Sequence, residues 1–292
     1  MVRSLLFLPG NNPNMLINGD VLGADAIIFD LEDAVTPDEK DAARILVRNI
    51  LASLDFRSVE VVIRINSIAP DGFWKRDLDE VIPLKPRRVM ATKVRDAEYI
   101  REVAAYIGEV ESRCGMQAGT VQIIALIETA AALENAFAIA VADPRVTAVF
   151  LGAEDLTADL RSGRTKSGEE IAYARGRIVA AARAAAIDVY DTPFTDVNDD
   201  EGIVADANIA KQFGFSGKAA ITPRHVGIIN RVFSPTEDEV DHARRVLEVI
   251  EEAKAQGKGA VSLNGKMIDA PIVARAQQVL DMDAAMRRRT TA

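Results

Sequence analysis

Short apolar runs alternate along the chain with longer stretches of helical period, and this alternation is the strongest constraint on the fold. These runs are too apolar for the resulting strands to have one wet face, which is typical of a parallel sheet covered by helices. Eight such units predict a (β/α)8 barrel, a fold of ~250 residues. The helical stretches include 38–52, 96–112, 129–142, 169–186 and 200–213. The candidate strands are 4–8, 26–30, 59–66, 88–94, 121–128, 147–152, 187–192 and 217–222.

The alternative fold is a doubly wound open sheet of the kind that binds nucleotides. Its phosphate-binding signatures are missing, because no G-x-G-x-x-G follows the first strand and no G-x-x-x-x-G-K-[ST] occurs in the sequence. The predicted architecture is therefore the α/β barrel, and we assign residues 1–235 to it.

A second segment, residues 236–292, follows the eighth unit and is not needed to close a barrel. Thr236 and Glu239 form a helix-start signal of the capping-box type. The pair Asn264-Gly265 then predicts a short hairpin, with a last helix after it. We expect this C-terminal extension to pack on a neighbouring subunit.

Composition excludes several classes of function. The net charge of −9 argues against a nucleic-acid partner or an anionic membrane surface. The single cysteine, Cys114, cannot form an intramolecular disulfide. The apolar run at 5–8 is too short for a secretory signal, and no run approaches the roughly 18 apolar residues of a membrane span. We therefore expect a cytoplasmic protein.

Polar and ionisable residues recur where the predicted strands end. In a barrel the carboxyl ends of all strands meet on one face, and active sites form there. The distribution therefore predicts one shared pocket. Structural interpretations exist too: Asp33 could begin a loop and Asp155 could N-cap a helix. The strand-end residues are Asp30, Glu32, Asp33, Arg64, Asn66, Lys93, Glu128, Glu154, Asp155, Asp191 and Thr192.

Glu128 and Arg64 are the hardest of these residues to explain by structure alone. A carboxylate at a barrel mouth loses hydration unless it is paired or binds a metal, and an inward guanidinium needs anionic partners. Lys93 has two interpretations, a Schiff-base lysine or a structural ion pair. Only two histidines occur, so a His-rich metal site is not indicated. Carboxylates instead favour Mg²⁺, which beside an arginine suits carbon–carbon cleavage next to a carbonyl.

Seven motifs, spread in order along nearly the whole chain, carry a resemblance to a known family. The chain resembles the citrate lyase beta-subunit family of acyl-CoA lyases. That family includes citryl-, malyl- and citramalyl-CoA lyases within the wider HpcH/HpaI aldolase superfamily. The motifs are RSLLFLPGNNPNM (3–15), GADAIIFDLEDAV (23–35), VVIRINS (61–67), ALIETA (125–130), FLGAEDL (150–156), FSPTEDEV (233–240) and GKMIDAPIVARA (265–276).

The resemblance implies a (β/α)8 barrel with a C-terminal segment, assembled as a trimer or a hexamer. It assigns Glu128 and Asp155 to a Mg²⁺ ion, and it assigns Arg64 and Glu128 to substrate binding. It assigns Glu32 and Asp33 to a carboxylate pair that holds Arg64 and metal-bound water. These are the residues that the family motifs place in this sequence.

The implied reaction is the retro-Claisen or retro-aldol cleavage of a 3-hydroxyacyl-CoA to a keto acid and an acyl-CoA, or the reverse condensation. Arg64 and Mg²⁺ would stabilise the separating oxygens. Asp269 matches an aspartate that enters the neighbouring subunit's active site and would protonate the enolate carbon. Nothing but the resemblance singles out Asp269. The acyl group could be carried by CoA or by an acyl-carrier subunit of a larger lyase.

The sequence departs from the family pattern near the expected contacts with CoA. Asn18 stands where relatives often have a lysine, which implies weaker contacts with CoA phosphates. A loop with Arg161, Arg164 and Lys166 is a candidate replacement, with a solvated loop as its alternative.

Three other functions stay open at this point. A free-acid pyruvate-type aldolase and an acyl-CoA thioesterase would both keep the barrel. A non-catalytic lyase subunit would keep the fold without the chemistry. Asp269 separates the first from a CoA lyase, because a free-acid aldolase would not need it.

Overall fold

Eight parallel strands form a closed barrel in the computed structural model, which describes residues 2–56, 58–255, 261–263 and 266–290. The barrel closes because β1 pairs with both of its neighbours, Leu5 lying opposite Ala26 on one side and Ala219 on the other. The predicted barrel is therefore confirmed and the open sheet is excluded. The strands are β1 (Ser4–Pro9), β2 (Ala26–Asp30), β3 (Glu60–Arg64), β4 (Arg88–Ala91), β5 (Gln122–Ile127), β6 (Val146–Leu151), β7 (Asp188–Asp191) and β8 (Gly217–Ala220).

Helices alternate with these strands. They are α1 (Pro13–Ile17), α2 (Lys40–Ser53), α3 (Phe73–Val81), α4 (Ala97–Arg113), α5 (Ala130–Glu134), α6 (Ala136–Ala140), α7 (Ala153–Asp159), α8 (Ala172–Ala184), α9 (Asp200–Phe213) and α10 (Pro223–Phe233). The stretch 129–142 forms two short helices rather than one, because the chain turns at Asn135. The short α3 was not predicted, since its nine residues are too few for a clear helical period.

The interior of the barrel is filled by apolar side chains from all eight strands. Because the strand period is two, every second residue points inward. Burial of one such leucine or isoleucine stabilises the fold by ~1.5–3 kcal/mol. The interior cluster is Val2, Leu5, Ala26, Ile28, Val62, Met90, Ile124, Leu126, Ala148, Phe150, Tyr190 and Ala219.

Strands β3 to β8 end one to three residues before their apolar runs do. At the end of β4 the reason is local: Lys93 has a φ of 49°, a left-handed conformation that cannot continue a strand. Residues such as Asn66, Glu128 and Thr192 consequently lie just beyond the strands. They form part of the carboxyl face of the barrel.

The described residues from Val232 onward form a compact unit separate from Val2–Arg231. This unit contains α11 (Glu237–Ala255), the antiparallel strands β9 (Val261–Leu263) and β10 (Lys266–Ile268), and α12 (Ala270–Thr290). The predicted capping box is confirmed by reciprocal bonds between Thr236 and Glu239, of 2.8 and 3.2 Å. The predicted turn at 264–265 lies outside the described residues. The boundary at 235/236 and the packing on a neighbouring subunit stay predictions.

No helix in the described part of the chain has the length and apolarity that a membrane span requires.

Candidate active site

Arg64 is fixed at the mouth of the barrel by Asp30, its neighbour on the next strand. Asp30 lies opposite Arg64 in the β2–β3 register, and its carboxylate accepts hydrogen bonds from Nε at 2.7 Å and Nη2 at 2.5 Å. The guanidinium carbon also lies 5.1 Å from the centre of the Phe7 ring, a cation–π contact. Two of the three guanidinium nitrogens are therefore hydrogen-bonded to Asp30, and the third, Nη1, lies near the acidic loop after β2.

That acidic loop carries Glu32 and Asp33. Their carboxylate oxygens lie 3.3 and 3.7 Å from Nη1 of Arg64. The loop is held from α2 by the buried Lys40, whose Nζ donates to the carbonyl oxygens of Leu31 at 2.8 Å and Glu32 at 2.5 Å. The two carboxylates assigned to Arg64 thus lie near it, but Asp30 is the closer partner.

Glu128 lies just past β5 and is almost fully buried, with 1% exposure. Its Oε1 accepts a hydrogen bond of 2.5 Å from the backbone N–H of Lys93, which the left-handed turn at that residue makes available. Gly152, at the end of β6, leaves room for the carboxylate. A Cβ at Gly152 would lie 2.7 Å from the Cβ of Glu128. Glu128 is therefore placed by a glycine and by an uncommon backbone conformation.

Asp155 lies in the first turn of α7 and meets Glu128 at the barrel mouth. The N-cap position of α7 is Gly152, so the interpretation of Asp155 as an N-cap is wrong. The Oδ2 of Asp155 accepts from Nζ of Lys93 at 2.5 Å, and the same Nζ lies 3.8 Å from Oε2 of Glu128. The structure therefore brings close to one another the two carboxylates that the family resemblance assigns to a metal.

The ammonium of Lys93 lies among four carboxylates. Burial alone would lower the pKa of Lys93, but the hydrogen bond to Asp155 and the surrounding negative charge raise it above its usual value. A Schiff-base lysine needs a neutral amine, so the geometry favours the ion-pair interpretation. The distances from Nζ are 2.5 Å to Asp155, 3.5 Å to Asp33, 3.8 Å to Glu32 and 3.8 Å to Glu128.

Burial has the largest effect on the pKa values of Glu128 and Glu32. It raises the pKa of Glu128 to about 8 and that of Glu32 to about 7, and the charges of Lys93 and Arg64 offset only part of this effect. Burial also acts to raise the pKa of Asp155, but hydrogen bonds from Lys93 and Glu128 hold it below its usual value. A carboxylate pair in which one member resists ionisation is one that a further cation would stabilise.

We call Asp30, Glu32, Asp33, Arg64, Lys93, Glu128 and Asp155 the mouth cluster. With every side chain ionised, two positive and five negative charges give a net charge of −3. Within the described residues, no three His, Cys, Asp or Glu side chains are arranged to hold a metal. Glu128 and Asp155, which the family resemblance assigns to the metal, are the two ligands that the protein would supply. That number suits Mg²⁺, which usually keeps water and substrate oxygens in its remaining positions. The residues present fit this ion.

An apolar cavity of about 300 Å³ adjoins the mouth cluster. Arg64 and Asp30 line one part of it, and the remaining lining is Phe7, Pro9, Met15, Ala34 and Ile221. The site therefore offers charge on one side and an apolar surface on the other.

Two strand-end residues have structural partners instead. Asn66 donates a hydrogen bond of 2.7 Å to the buried Asp77. Asp191 accepts from Arg175 at 2.9 Å and from Lys218 at 2.6 Å, and all three side chains are fully buried. Their position at strand ends reflects the fold and gives them no place in the mouth cluster.

Asp269 belongs to the C-terminal unit and is exposed. Its Oδ1 accepts a hydrogen bond of 3.1 Å from the backbone N–H of Ile272, so it caps the start of α12. This contact explains an aspartate at the position without any chemistry. The role of Asp269 in a neighbouring subunit's active site stays a prediction.

The candidate CoA contacts are engaged within the chain. Asn18 donates a hydrogen bond of 2.8 Å to the carbonyl of Asn14. In the basic loop, Arg164 and Lys166 each pair with two carboxylates, while Arg161 is exposed. The acidic partners are Glu154 and Glu170 for the arginine, and Asp196 and Asp199 for the lysine. Paired cations are poorer phosphate contacts than free ones.

The sequence pattern places Asp30 in the predicted pocket without naming its partner, and it gives Phe7 and Lys40 no role. The pairing of Asp30 with Arg64 could have been predicted, because Asp30 ends β2 and Arg64 ends β3. Neighbouring parallel strands of equal length bring their ends together. The sequence contains no indication of the roles of Phe7 and Lys40. Phe7 is typical of a buried core residue, and Lys40 is typical of the exposed face of a helix.

Comparison with known proteins places the chain in a family. A family model described as HpcH/HpaI aldolase/citrate lyase matches residues 3–223. The citrate lyase subunit beta of Leuconostoc mesenteroides subsp. cremoris is 42% identical over 280 residues, which cover 96% of this chain and 92% of that protein. A (3S)-malyl-CoA thioesterase of Cereibacter sphaeroides is 33% identical, over 95% of this chain and 93% of that protein.

The fold comparison agrees with the family model. A crystal structure of the protein CitE from Mycobacterium tuberculosis in complex with magnesium, acetoacetate and coenzyme A is 29% identical and matches with a TM-score of 0.79. The match covers 96% of this chain and 97% of that one. The chain therefore belongs to the HpcH/HpaI aldolase/citrate lyase family, and within it the chain is similar to citrate lyase beta subunits.

Proposed function

We propose that the chain is a Mg²⁺-dependent lyase that cleaves, or forms, a 3-hydroxyacyl thioester of the citryl, malyl or citramalyl type. The products of cleavage are a keto acid and an acyl thioester. The observation that carries the proposal is the meeting of Glu128 and Asp155 in a cluster with spare negative charge and a fixed arginine. The CitE structure supports the proposed ligands, because it is described in complex with magnesium, acetoacetate and coenzyme A.

Glu128 and Asp155 would hold the Mg²⁺ ion, which when bound supplies positive charge that stabilises oxygen anions. Arg64 supplies a second, fixed positive charge. Burial alone would lower the pKa of Arg64, but the bonds to Asp30 raise it above its usual value, so the guanidinium stays ionised. Because Asp30 and Phe7 already fix its position, little reorganisation is needed when charge develops on the substrate.

The bond that breaks joins the hydroxyl-bearing carbon to the carbon next to the thioester. The hydroxyl proton leaves to a carboxylate of the mouth cluster, the hydroxyl-bearing carbon becomes the ketone, and the electron pair of the broken bond forms the thioester enolate. Asp269 of a neighbouring subunit would protonate the enolate carbon. This role requires a homo-oligomer, proposed here as a trimer or a hexamer.

The two halves of the substrate differ in charge, and so do the two sides of the site. The acid half carries the carboxylates and would face Arg64 and the ion. The acyl half is uncharged near the reacting carbon and would occupy the apolar cavity beside Phe7, Met15 and Ala34.

Hydrolysis of the thioester is the second candidate function. It is favoured by the malyl-CoA thioesterase relative, which is 33% identical over nearly its full length. The products separate the two reactions. A lyase acting on malyl-CoA releases glyoxylate and acetyl-CoA, whereas a thioesterase releases malate and free CoA.

One assay decides between these functions. The protein is incubated with Mg²⁺ and malyl-, citramalyl- or citryl-CoA, and both keto acid and free thiol are measured. Keto acid without free thiol supports the lyase, and free thiol without keto acid supports the thioesterase. If neither appears, the citryl and malyl thioesters of an acyl-carrier lyase subunit are tested in the same way. Failure with both carriers contradicts the proposal.

The Asp269→Asn variant separates a CoA lyase from a free-acid aldolase. If Asp269 is the acid, its loss lowers turnover of the thioester about 10²-fold or more. An aldolase acting on the free acid would keep nearly all of its turnover. Light scattering on the same variant shows whether the oligomer is intact.

A further inference from the structure

Lys93 contacts both proposed magnesium ligands, yet the proposed reaction gives it no role. Its backbone N–H donates to Glu128 at 2.5 Å, and its ammonium donates to Asp155 at 2.5 Å. It adopts a φ of 49°, which is uncommon for a residue with a Cβ. Uncommon backbone conformations of this kind persist where surrounding contacts over-determine them.

The ammonium of Lys93 lies among four of the five carboxylates of the mouth cluster. It lies within 3.8 Å of carboxylate oxygens from Glu32, Asp33, Glu128 and Asp155. A single cation in this position offsets the mutual repulsion of all four groups. Arg64 offsets only part of this repulsion, because its Nε and Nη2 are bonded to Asp30 and its Nη1 lies near only two of the four groups, Glu32 and Asp33.

A magnesium ion bound to Glu128 and Asp155 would repel this ammonium. Mg²⁺ approaches its carboxylate oxygens to about 2.1 Å, so an ion on Glu128 and Asp155 would lie only a few ångströms from Nζ. Repulsion between a double and a single positive charge at that separation is strong in a partly buried site. The side chain of Lys93 is 34% exposed, and its flexible stem allows the ammonium to move toward solvent.

We propose that Lys93 is the resident counter-cation of the mouth cluster: its ammonium neutralises the carboxylates while no metal is bound, and Mg²⁺ displaces it. The inference rests on the proposed function in one respect, that Glu128 and Asp155 are the metal ligands. Lys93 then has two opposite effects. It stabilises the metal-free protein, and it weakens the affinity of the site for Mg²⁺.

The Lys93→Met variant tests these effects, because methionine keeps the backbone N–H and an unbranched chain but removes the charge. Calorimetric titration without substrate should show a Mg²⁺ dissociation constant about tenfold lower than that of the native protein. The melting temperature of the metal-free variant should fall below the native value and recover at saturating Mg²⁺. Lys93→Arg keeps the charge and should retain a native-like dissociation constant.

Lys166→Met is the matched control. It removes another lysine that bridges two carboxylates, those of Asp196 and Asp199, and it should leave the Mg²⁺ dissociation constant unchanged. A Lys93→Met protein that binds Mg²⁺ no better than the native protein, or more weakly, overturns the inference.

Glu128→Gln separates failure of this inference from failure of the proposed function. If that variant still binds Mg²⁺ as the native protein does, the ligand assignment itself is wrong. If it loses Mg²⁺ while Lys93→Met gains no affinity, only the role of Lys93 is wrong.

A measurement on the native protein covers the case in which Lys93→Met does not fold. The rate of acetylation of each lysine is followed by mass spectrometry with and without Mg²⁺. Displacement predicts that Mg²⁺ accelerates acetylation of Lys93 relative to Lys166. An unchanged or slower rate at Lys93 overturns the inference.

Discussion

Two groups of charged residues in the same barrel follow opposite rules. The mouth cluster has two cations against five carboxylates, and its Lys93 and Asp155 side chains are 34% and 45% exposed. The second group, here called the β7–β8 network, consists of Arg175, Asp191, Asp206 and Lys218. It has two cations against two carboxylates, and no side chain in it is more than 3% exposed.

In the β7–β8 network each of the two cations pairs with both of the two carboxylates. Nζ of Lys218 lies 2.6 Å from both Asp191 and Asp206, and Nη2 of Arg175 lies 2.9 and 2.6 Å from the same pair. The four charges pair with one another out of reach of solvent, although Nη1 of Arg175 and Oδ2 of Asp206 make no hydrogen bond to any described residue. The difference teaches that charge balance and exposure together distinguish a structural network from a binding site, although each group includes a carboxylate that ends a strand, Asp30 in one and Asp191 in the other.

The largest expected effect is that of Glu128→Gln on activity. The amide keeps the shape of the side chain but is a poor magnesium ligand, so Mg²⁺-dependent lyase activity should fall about 10³-fold or more. The melting temperature without metal should not fall, because burial disfavours the charged form of this carboxyl group and the amide carries no charge. Steady-state assays and thermal unfolding measure the two quantities. Glu134→Gln, an exposed residue of α5, is the matched control; a fully active, metal-responsive Glu128→Gln protein would show that the ligand is elsewhere.

Asp206→Asn should break the β7–β8 network and leave the mouth cluster intact. The substitution leaves two buried cations facing one carboxylate, which should lower the free energy of unfolding by about 3–5 kcal/mol. Urea unfolding measures this loss, and calorimetry should show a native Mg²⁺ dissociation constant. Asp200→Asn, at an exposed ion pair with Arg224, should change neither quantity. A large loss of Mg²⁺ affinity in Asp206→Asn would mean that the two groups of charges are coupled.

Lys40→Met tests how far the mouth cluster depends on its support. Loss of the two hydrogen bonds to the carbonyls of Leu31 and Glu32 should loosen the loop that carries Glu32 and Asp33. Misplacement of these carboxylates should lower kcat/KM about tenfold, while two unsatisfied carbonyls cost ~1–3 kcal/mol of stability. Unchanged kcat/KM with reduced stability would assign Lys40 to the fold alone.

The smallest expected effect is a pH dependence of the β7–β8 network. Burial alone would raise the pKa of Asp206, but the charges of Lys218 and Arg175 outweigh it and lower the pKa. An aspartate with a depressed folded pKa contributes stability above its unfolded pKa of about 3.9, and this contribution is lost as the pH falls through the folded value. The stability difference between the native protein and Asp206→Asn should therefore be full at pH 6 and smaller below about pH 3. Urea unfolding of the native protein and of Asp206→Asn at pH 6 and below about pH 3 measures this difference in stability. The same difference under both conditions would contradict the prediction.

Much of the fold follows from local pattern. Apolar runs of strand length separated by helical stretches define a parallel barrel because that pattern can be buried in few other ways. The ends of the strands were less predictable. β4 stops at Ala91 because the chain turns left-handed at Lys93, and nothing in the run Thr92-Lys93-Val94 signals that conformation.

The candidate site was predictable where a residue ends or closely follows a strand, and not where it depends on register or on the long helices. Arg64 ends β3, while Glu128 and Asp155 follow the ends of β5 and β6 by one and four residues. The Asp30–Arg64 pair depends on the alignment of two strands. Arg175 and Asp206 lie in helices, where charged residues usually face solvent, so their burial could not be foreseen.

The central claim is that Glu128 and Asp155 jointly bind one divalent ion beside Arg64. A crystal grown with Mn²⁺ in place of Mg²⁺, and with a keto acid such as glyoxylate, tests it most directly through the anomalous scattering of manganese. We expect one strong anomalous peak within ligand distance of both carboxylates, with the Lys93 ammonium turned away from it. A peak among other side chains, or none at saturating Mn²⁺, would contradict the account.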